Sequence, residues 1–344
     1  MEMQKPRCAG FDVLKIISMF LIVCFHCAYK GEFNITDNFA NQIILDIMFY
    51  FGLLGVNCFA LITGYFHESM FFKKKKFVKM LLQIMFYTGL SVVILTSTGH
   101  SMNIATVLYR LMPFDVSIYW YGVAYLMLLL IAPYLNILIQ SMSSRQHKNL
   151  IAICVCLFSL IPTIKTMFWQ NDFMERTGFY NRFIWLIVMY MIGAYIFKYG
   201  FPIIINKKKA IELFMLSSFA LMSFILMTNM FDSDLSTVFF SPNSPFELLL
   251  GISLFGVFYY SNVKSNHLVS KVSKLTFGVY LFHDGLLDDW IWNNVFQINQ
   301  YQNEWYMVLS ILTASIIVFV TGLLIELLRQ KIERLIETKI VKSS

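Results

Sequence analysis

The sequence is poor in charge. Only 14% of its 344 residues are Asp, Glu, Lys or Arg, where a soluble domain carries about a quarter. It also has little that breaks regular structure: 16 Gly and 7 Pro, too few for a fibrous, low-complexity or disordered chain. The six cysteines are Cys8, Cys24, Cys27, Cys58, Cys154 and Cys156. They sit almost entirely in apolar stretches without CxxC…CxxC or Cys/His zinc spacing, so they read as small buried hydrophobes rather than metal ligands or disulfides. The Walker lysine loop, GxSxG, HExxH and GxGxxG are absent as well. Chemistry in this chain therefore has to come from histidine, without a serine triad or a metal.

What is present is apolar surface. Hydrophobic residues make up 58%, aromatic residues 17%, with 34 Phe and 20 Met, and the mean hydropathy is +0.65. These values describe a polytopic membrane protein. At about 20 residues per span plus a short connection, the length holds roughly ten spans and no soluble domain. Apolar runs read against breakers fall at about 11–30, 42–67, 77–98, 119–140, 149–168, 183–199, 210–230, 246–262, 275–292 and 304–328. The expected architecture is all-α: one transmembrane domain over 1–344, a bundle of about ten helices. The ninth run is interrupted by Asp284, Asp288 and Asp289.

Placing the N-terminus in the cytoplasm puts 22 of the 27 lysines and arginines on the inner side; Lys30, Arg110, Lys165, Arg176 and Arg182 fall outside it. Both termini are then cytoplasmic, in a multi-pass protein of the plasma membrane, and the first run is a retained span rather than a signal peptide. The formal net charge of +7 sits in short runs between apolar stretches, which suits anionic lipid headgroups and not nucleic acid. No internal repeat is present. The loops at 100–117, 169–181, 231–245 and 293–303 are short, and Asn34-Ile35-Thr36 is a weak glycosylation sequon.

An ionisable residue inside a span is costly, so it faces the protein interior and is a candidate for function. The first run contains Asp12, Lys15 and His26. Eleven positions at 100° each bring Lys15 and His26 within about 20° of one helix face, roughly 16 Å apart along the axis. Asp12 lies one turn from Lys15 and can pair with it, although an interfacial pair reaching for the headgroups accounts for those two equally well. His26, much deeper, is either a satisfied core histidine or a base. A second polar patch, Tyr280-Leu281-Phe282-His283-Asp284, places a His beside an Asp. Adjacent residues point to different sides of a helix, so His283 is read as a substrate ligand or a brace for His26. A third feature, Lys73-Lys74-Lys75-Lys76-Phe77-Val78-Lys79, serves topology and lipid headgroups, or captures a polyphosphate through Lys76 and Lys79 one turn apart.

Four of these pieces together resemble the membrane acyltransferase-3 family. Phe11-Asp12-Val13-Leu14-Lys15, ten residues and then His26 is similar to its Arg/Lys-x10-His signature. Gly55-Val56-Asn57-Cys58-Phe59 and Thr63-Gly64-Tyr65 resemble its second-span signature. Lys76-x-x-Lys79 stands where the family has Arg-x-x-Arg, and Thr276-Phe277-Gly278-Val279-Tyr280-Leu281-Phe282-His283 is similar to its late (S/T)(F/Y)GxYLxH stretch. Softer matches are Trp120-Tyr121 with Pro133, and Gly193-Ala194. The chain departs from the pattern in carrying lysines at 15, 76 and 79, and Ala124 and Tyr125 where many members carry a Glu.

The resemblance implies transfer of an acyl group, acetyl above all, from a cytoplasmic acyl-CoA such as acetyl-CoA to a hydroxyl of a capsule, exopolysaccharide or wall carbohydrate. It implies His26 as general base, or alternatively as the nucleophile of an acyl-imidazole relay, with Lys15 and Asp12 beside it. Lys76 and Lys79 would hold the coenzyme's phosphates, and Asn57, Thr63, Trp120, Tyr280 and His283 would surround the acceptor. No metal is implied. On the residues alone, a carbohydrate or lipid exporter without acyl chemistry is the alternative.

Overall fold

The computed structural model describes residues 9–35, 38–67, 72–100, 103–168, 179–231 and 238–343. Cys8, Thr36 of the sequon, Arg176 and most of the 169–181 loop lie outside these residues. Among the described residues the chain is helical throughout, without strands. The order is α1 Ala9–Lys30, α2 Phe39–Tyr65, α3 Lys74–Ser97, the short α4 Ile104–Arg110, α5 Trp120–Ser141 and α6 Ser144–Phe168. There follow α7 Phe179–Tyr199, α8 Lys207–Phe231, α9 Pro245–Tyr259, α10 His267–Ser273, α11 Thr276–His283 and α12 Met307–Ser343. α6 carries a π-helical turn at Cys156–Leu160.

Helix starts follow local chemistry. Asn38 accepts from the Asn41 amide at the start of α2, Ser143 and Gln146 form a capping box on α6, and Ser244 with Pro245 opens α9. Among the described residues eight helices are long and apolar enough to cross a membrane, matching eight of the ten apolar runs. The other two runs behave differently. The run at 246–262 contains the 15-residue α9, short of the ~20 residues that a perpendicular span takes. The run at 275–292 stops being α-helical after His283. Asp284 is extended (φ −101°, ψ 169°), and Gly285 takes φ +83° with its Cα side pressed against Tyr119 and Ile118. That positive φ suits glycine and ends the helix. The backbone continues as a 3₁₀ turn, Gly285–Leu287, and a π-helical turn, Trp290–Val295.

α1 is the hub of the bundle. It packs on α2, α9, α10, α11 and α12, whereas α6 and α8 lie further out, with most of their apolar side chains facing outward. Close helix contact requires small residues. A Cβ on Gly64 of α2 would lie 2.0 Å from the Tyr190 carbonyl of α7, and one on Gly193 would lie 2.2 Å from the Leu61 carbonyl. These two glycines set the α2–α7 crossing. The described cysteines are all free; Cys24, Cys27 and Cys58 are buried, and Cys156 faces outward.

Candidate active site

A cavity of about 920 Å³ opens inside the bundle beside α1, near the upper end of ordinary ligand pockets, ~300–1,000 Å³. One end is basic, lined by Lys15, Lys76, Lys79 and Lys274. The other carries Lys30, Arg182, Asp284 and Asp288, and His26 stands on the wall. Lys30 is fifteen positions past Lys15 on α1, so the two ends are about 22 Å apart along that helix.

His26 is 7% exposed, and its Nδ1 lies 2.9 Å from Nε2 of His283. His283 is fully buried at the end of α11, and its Nδ1 is 2.6 Å from the carbonyl oxygen of Val279, one turn back. These contacts fix the protons of the neutral pair. A carbonyl only accepts, so His283 Nδ1 carries hydrogen and its Nε2 holds a lone pair. His26 Nδ1 must then donate to it, which leaves the lone pair of His26 on Nε2. The helix break at Asp284 and Gly285 places this pair, since it lets α11 end with His283 turned toward α1.

Of the residues singled out in the sequence, Lys15, His26, Thr63, Lys76, Lys79, Trp120 and Tyr280 line the cavity together; Asp12, Asn57 and His283 do not. Asp12 is buried and accepts from the Ser273 hydroxyl at 2.8 Å, tying α1 to α10. Asn57 is fully buried and engaged at both ends of its amide. It donates to the carbonyls of Pro242 (2.8 Å) and Glu247 (3.1 Å) and accepts from Trp185 Nε1 (2.9 Å). Thr63 donates its hydroxyl to the Phe59 carbonyl one turn back, at 2.9 Å. The Tyr280 ring packs against Tyr119 and Tyr121, with centroids 6.1 and 6.0 Å away.

At the basic end, the Lys76 ammonium sits 6.0 Å over the Tyr125 ring, and Lys79 pairs with Glu333 of α12 at 2.9 Å. Such a clustered, partly apolar-walled set of cations is suited to a phosphate-bearing group whose remainder extends into the bundle. Among the described residues no group of three or more His, Cys, Asp or Glu is arranged to hold a metal ion.

The sequence did not single out Lys30, Arg182, Lys274 or Asp288 as site residues, and it weighed Asp284 only as a neighbour of His283. A signal existed for two of them. Lys30 and Arg182 are among the five basic residues that the positive-inside count leaves on the far side, and both reach the cavity. Lys30 is closed by Asp288 at 2.7 Å. Arg182 stacks on Trp120 with its guanidinium carbon 5.0 Å from the ring centroid.

The family model Acyl_transf_3, described as an acyltransferase domain, matches residues 9–325, essentially the whole chain. No curated protein and no solved structure matches it. The match takes in α1 through most of α12 and every residue that lines the cavity. The chain belongs to the membrane acyltransferase-3 family.

Proposed function

We propose that this membrane acyltransferase moves an acetyl group from acetyl-CoA, taken up at the cytoplasmic face, to a hydroxyl of a cell-surface or exported carbohydrate, with His26 as general base. The reading places it in the plasma membrane, acting as one transmembrane unit. The observation that carries it is the Val279–His283–His26 hydrogen-bond chain on the wall of a cavity with lysines at one end. A base must present a lone pair to the reacting proton and be held in one orientation. The chain supplies both conditions for Nε2 of His26.

In this reading Lys76, Lys79 and Lys15 hold the coenzyme's phosphates, and the pantetheine arm runs along the cavity toward His26. His26 Nε2 removes the proton of the sugar hydroxyl as its oxygen attacks the thioester carbonyl. The tetrahedral intermediate collapses, the C–S bond breaks, and the imidazolium returns its proton to the departing thiolate. Trp120, Thr63 and Tyr280 shape the acceptor side. Asn57 acts from behind the wall, by fixing the Ser241–Glu247 region through its two carbonyl contacts.

The test is transfer of radiolabelled acetyl groups from acetyl-CoA to surface glycan in membranes carrying the wild type or His26→Ala. Label on glycan with the wild type alone is the expected result. Equal label with both proteins would remove His26 from the chemistry. No label with either, despite intact membrane insertion, would count against acetyl-CoA as donor.

A further inference from the structure

The lysines at one end of the cavity are accounted for by a phosphorylated donor, but the cation at the other end is not. Arg182 lies in the first turn of α7 with its guanidinium carbon over the Trp120 ring. Its Nε is buried without a hydrogen-bond acceptor, and among the described residues it forms no ion pair. Lys30, which lines the same cavity, is already closed by Asp288. A guanidinium held over an aromatic ring keeps N–H donors that a carboxylate or phosphate can take. An unpaired cation inside a membrane domain is costly unless a ligand completes it.

The depth of Arg182 sets what that ligand belongs to. Trp185, one turn along α7, gives its Nε1 hydrogen to Asn57 of α2. Just over a turn from Asn57, Gly52 faces Phe25, the neighbour of His26. Arg182 therefore lies at the level of His26, far from the basic end. Asp284, on the same side of the cavity, has a buried Oδ2 whose near polar neighbour is the Tyr280 hydroxyl, and the carboxylate keeps acceptor capacity for a sugar hydroxyl.

We infer that this end of the cavity is a subsite for an acidic sugar. Arg182 grips a carboxylate or phosphate carried by the acceptor, and Asp284 accepts hydroxyls of the same sugar while Trp120 forms the wall. The inference rests on the acyl-transfer reading for its assignment of the two ends. It adds that the acceptor glycan is anionic near the hydroxyl that is acylated.

The experiment is binding to the purified full chain in nanodiscs, wild type against Arg182→Gln and Arg182→Lys. The probes are a uronate-containing tetrasaccharide, its carboxyl-reduced neutral counterpart and a glycerol phosphate oligomer, with acetyl-CoA and succinyl-CoA titrated separately. The wild type is expected to bind one anionic probe at least tenfold more tightly than the neutral one, and which probe it is distinguishes carboxylate from phosphate. Arg182→Gln should abolish that preference and Arg182→Lys should keep part of it, with acetyl-CoA binding intact in both. If Arg182→Gln does not fold, Arg182→Lys carries the comparison, since it keeps the charge and loses the fork. Equal binding of neutral and anionic probes by the wild type overturns the inference, as does an unchanged preference in the variants. A preference for succinyl-CoA that disappears with Arg182→Gln overturns it too, because the anion would then belong to the acyl group. Loss of acetyl-CoA binding in the wild type would strike the acyl-transfer reading instead.

Discussion

His26 and His283 stand 257 positions apart in the chain and share a 2.9 Å contact between Nδ1 and Nε2. The Val279 carbonyl behind His283 makes the contact directional, so the second histidine holds the first in one tautomer and one orientation. His283 does not reach the cavity itself. On the proposed reading it positions His26, and its loss should then have a different kinetic signature from the loss of a substrate ligand.

Replacing His283 with Ala is therefore expected to lower kcat with little change in KM for either substrate. General-base catalysis contributes about 10²–10⁴-fold, so His26→Ala should fall by that order and His283→Ala by less. Because both act through one nitrogen, the double variant should be no slower than His26→Ala alone. Initial rates over both substrate concentrations read this directly. A His283→Ala enzyme with unchanged kcat, or one altered only in acceptor KM, would show that His283 does not position His26 for the chemistry.

Asn57 illustrates a residue whose motif position and structural role diverge. Its amide joins α2 to Pro242, Glu247 and Trp185. Asn57→Ala leaves a buried indole N–H and two carbonyls short of partners, at about 1–3 kcal/mol for each group that stays unsatisfied. The expected outcome is a lower unfolding temperature in detergent, with any loss of activity following the loss of folded protein. Unchanged thermal stability with a selective rise in acceptor KM would place Asn57 on the substrate instead.

The sequence showed the class of fold and one wall of the site, because both are written in local terms. The 3.6-residue period put Lys15 and His26 on one face, and uninterrupted apolar runs marked the helices that proved long enough to span. Contacts between distant segments were not legible. That His283 braces His26 depends on α11 stopping at Asp284, and three acids inside an apolar run showed only that something interrupts it. Asn57 looked like a pocket residue because its motif neighbours are, whereas the α2–α7 crossing turns it inward toward Trp185. Arg182 was visible only as an exception to a charge count, since its meaning depends on Trp120, sixty-two positions earlier in the chain.

The α2–α7 crossing offers a test of the packing. Gly64 and Gly193 sit where an added Cβ would come within 2.0 and 2.2 Å of backbone carbonyls of the opposite helix. Backbone cannot yield as a side-chain tip does, so Gly64→Ala and Gly193→Ala should each force the helices apart. Overpacking of this kind costs typically ~1–3 kcal/mol, seen as reduced yield of folded protein and a lower melting temperature. Because α7 also carries Trp185 and Arg182, activity should fall with folded yield. Normal stability in both variants would mean that the helices do not approach so closely.

On the proposed reading, the basic end contains a competitor for the donor's phosphates. Lys79 is held by Glu333 at 2.9 Å, and Glu333 also takes Arg329 at 3.3 Å, which is anchored on the buried Glu326 at 2.8 Å. A phosphate bound at Lys79 has to share or displace Glu333. Glu333→Gln removes the competing charge while keeping the shape, and so should tighten acetyl-CoA binding. Exposed pairs are worth about 0.2–1 kcal/mol, which corresponds to a gain of up to roughly fivefold. Lys79→Ala should weaken binding, and Lys76→Ala should do the same through loss of its charge over Tyr125. Added salt should shrink these differences, since the lysines at this end are partly exposed and screened. The measurement is acetyl-CoA titration at two ionic strengths. Weaker binding by Glu333→Gln at both would show that Glu333 organises the mouth of the cavity and does not oppose the donor.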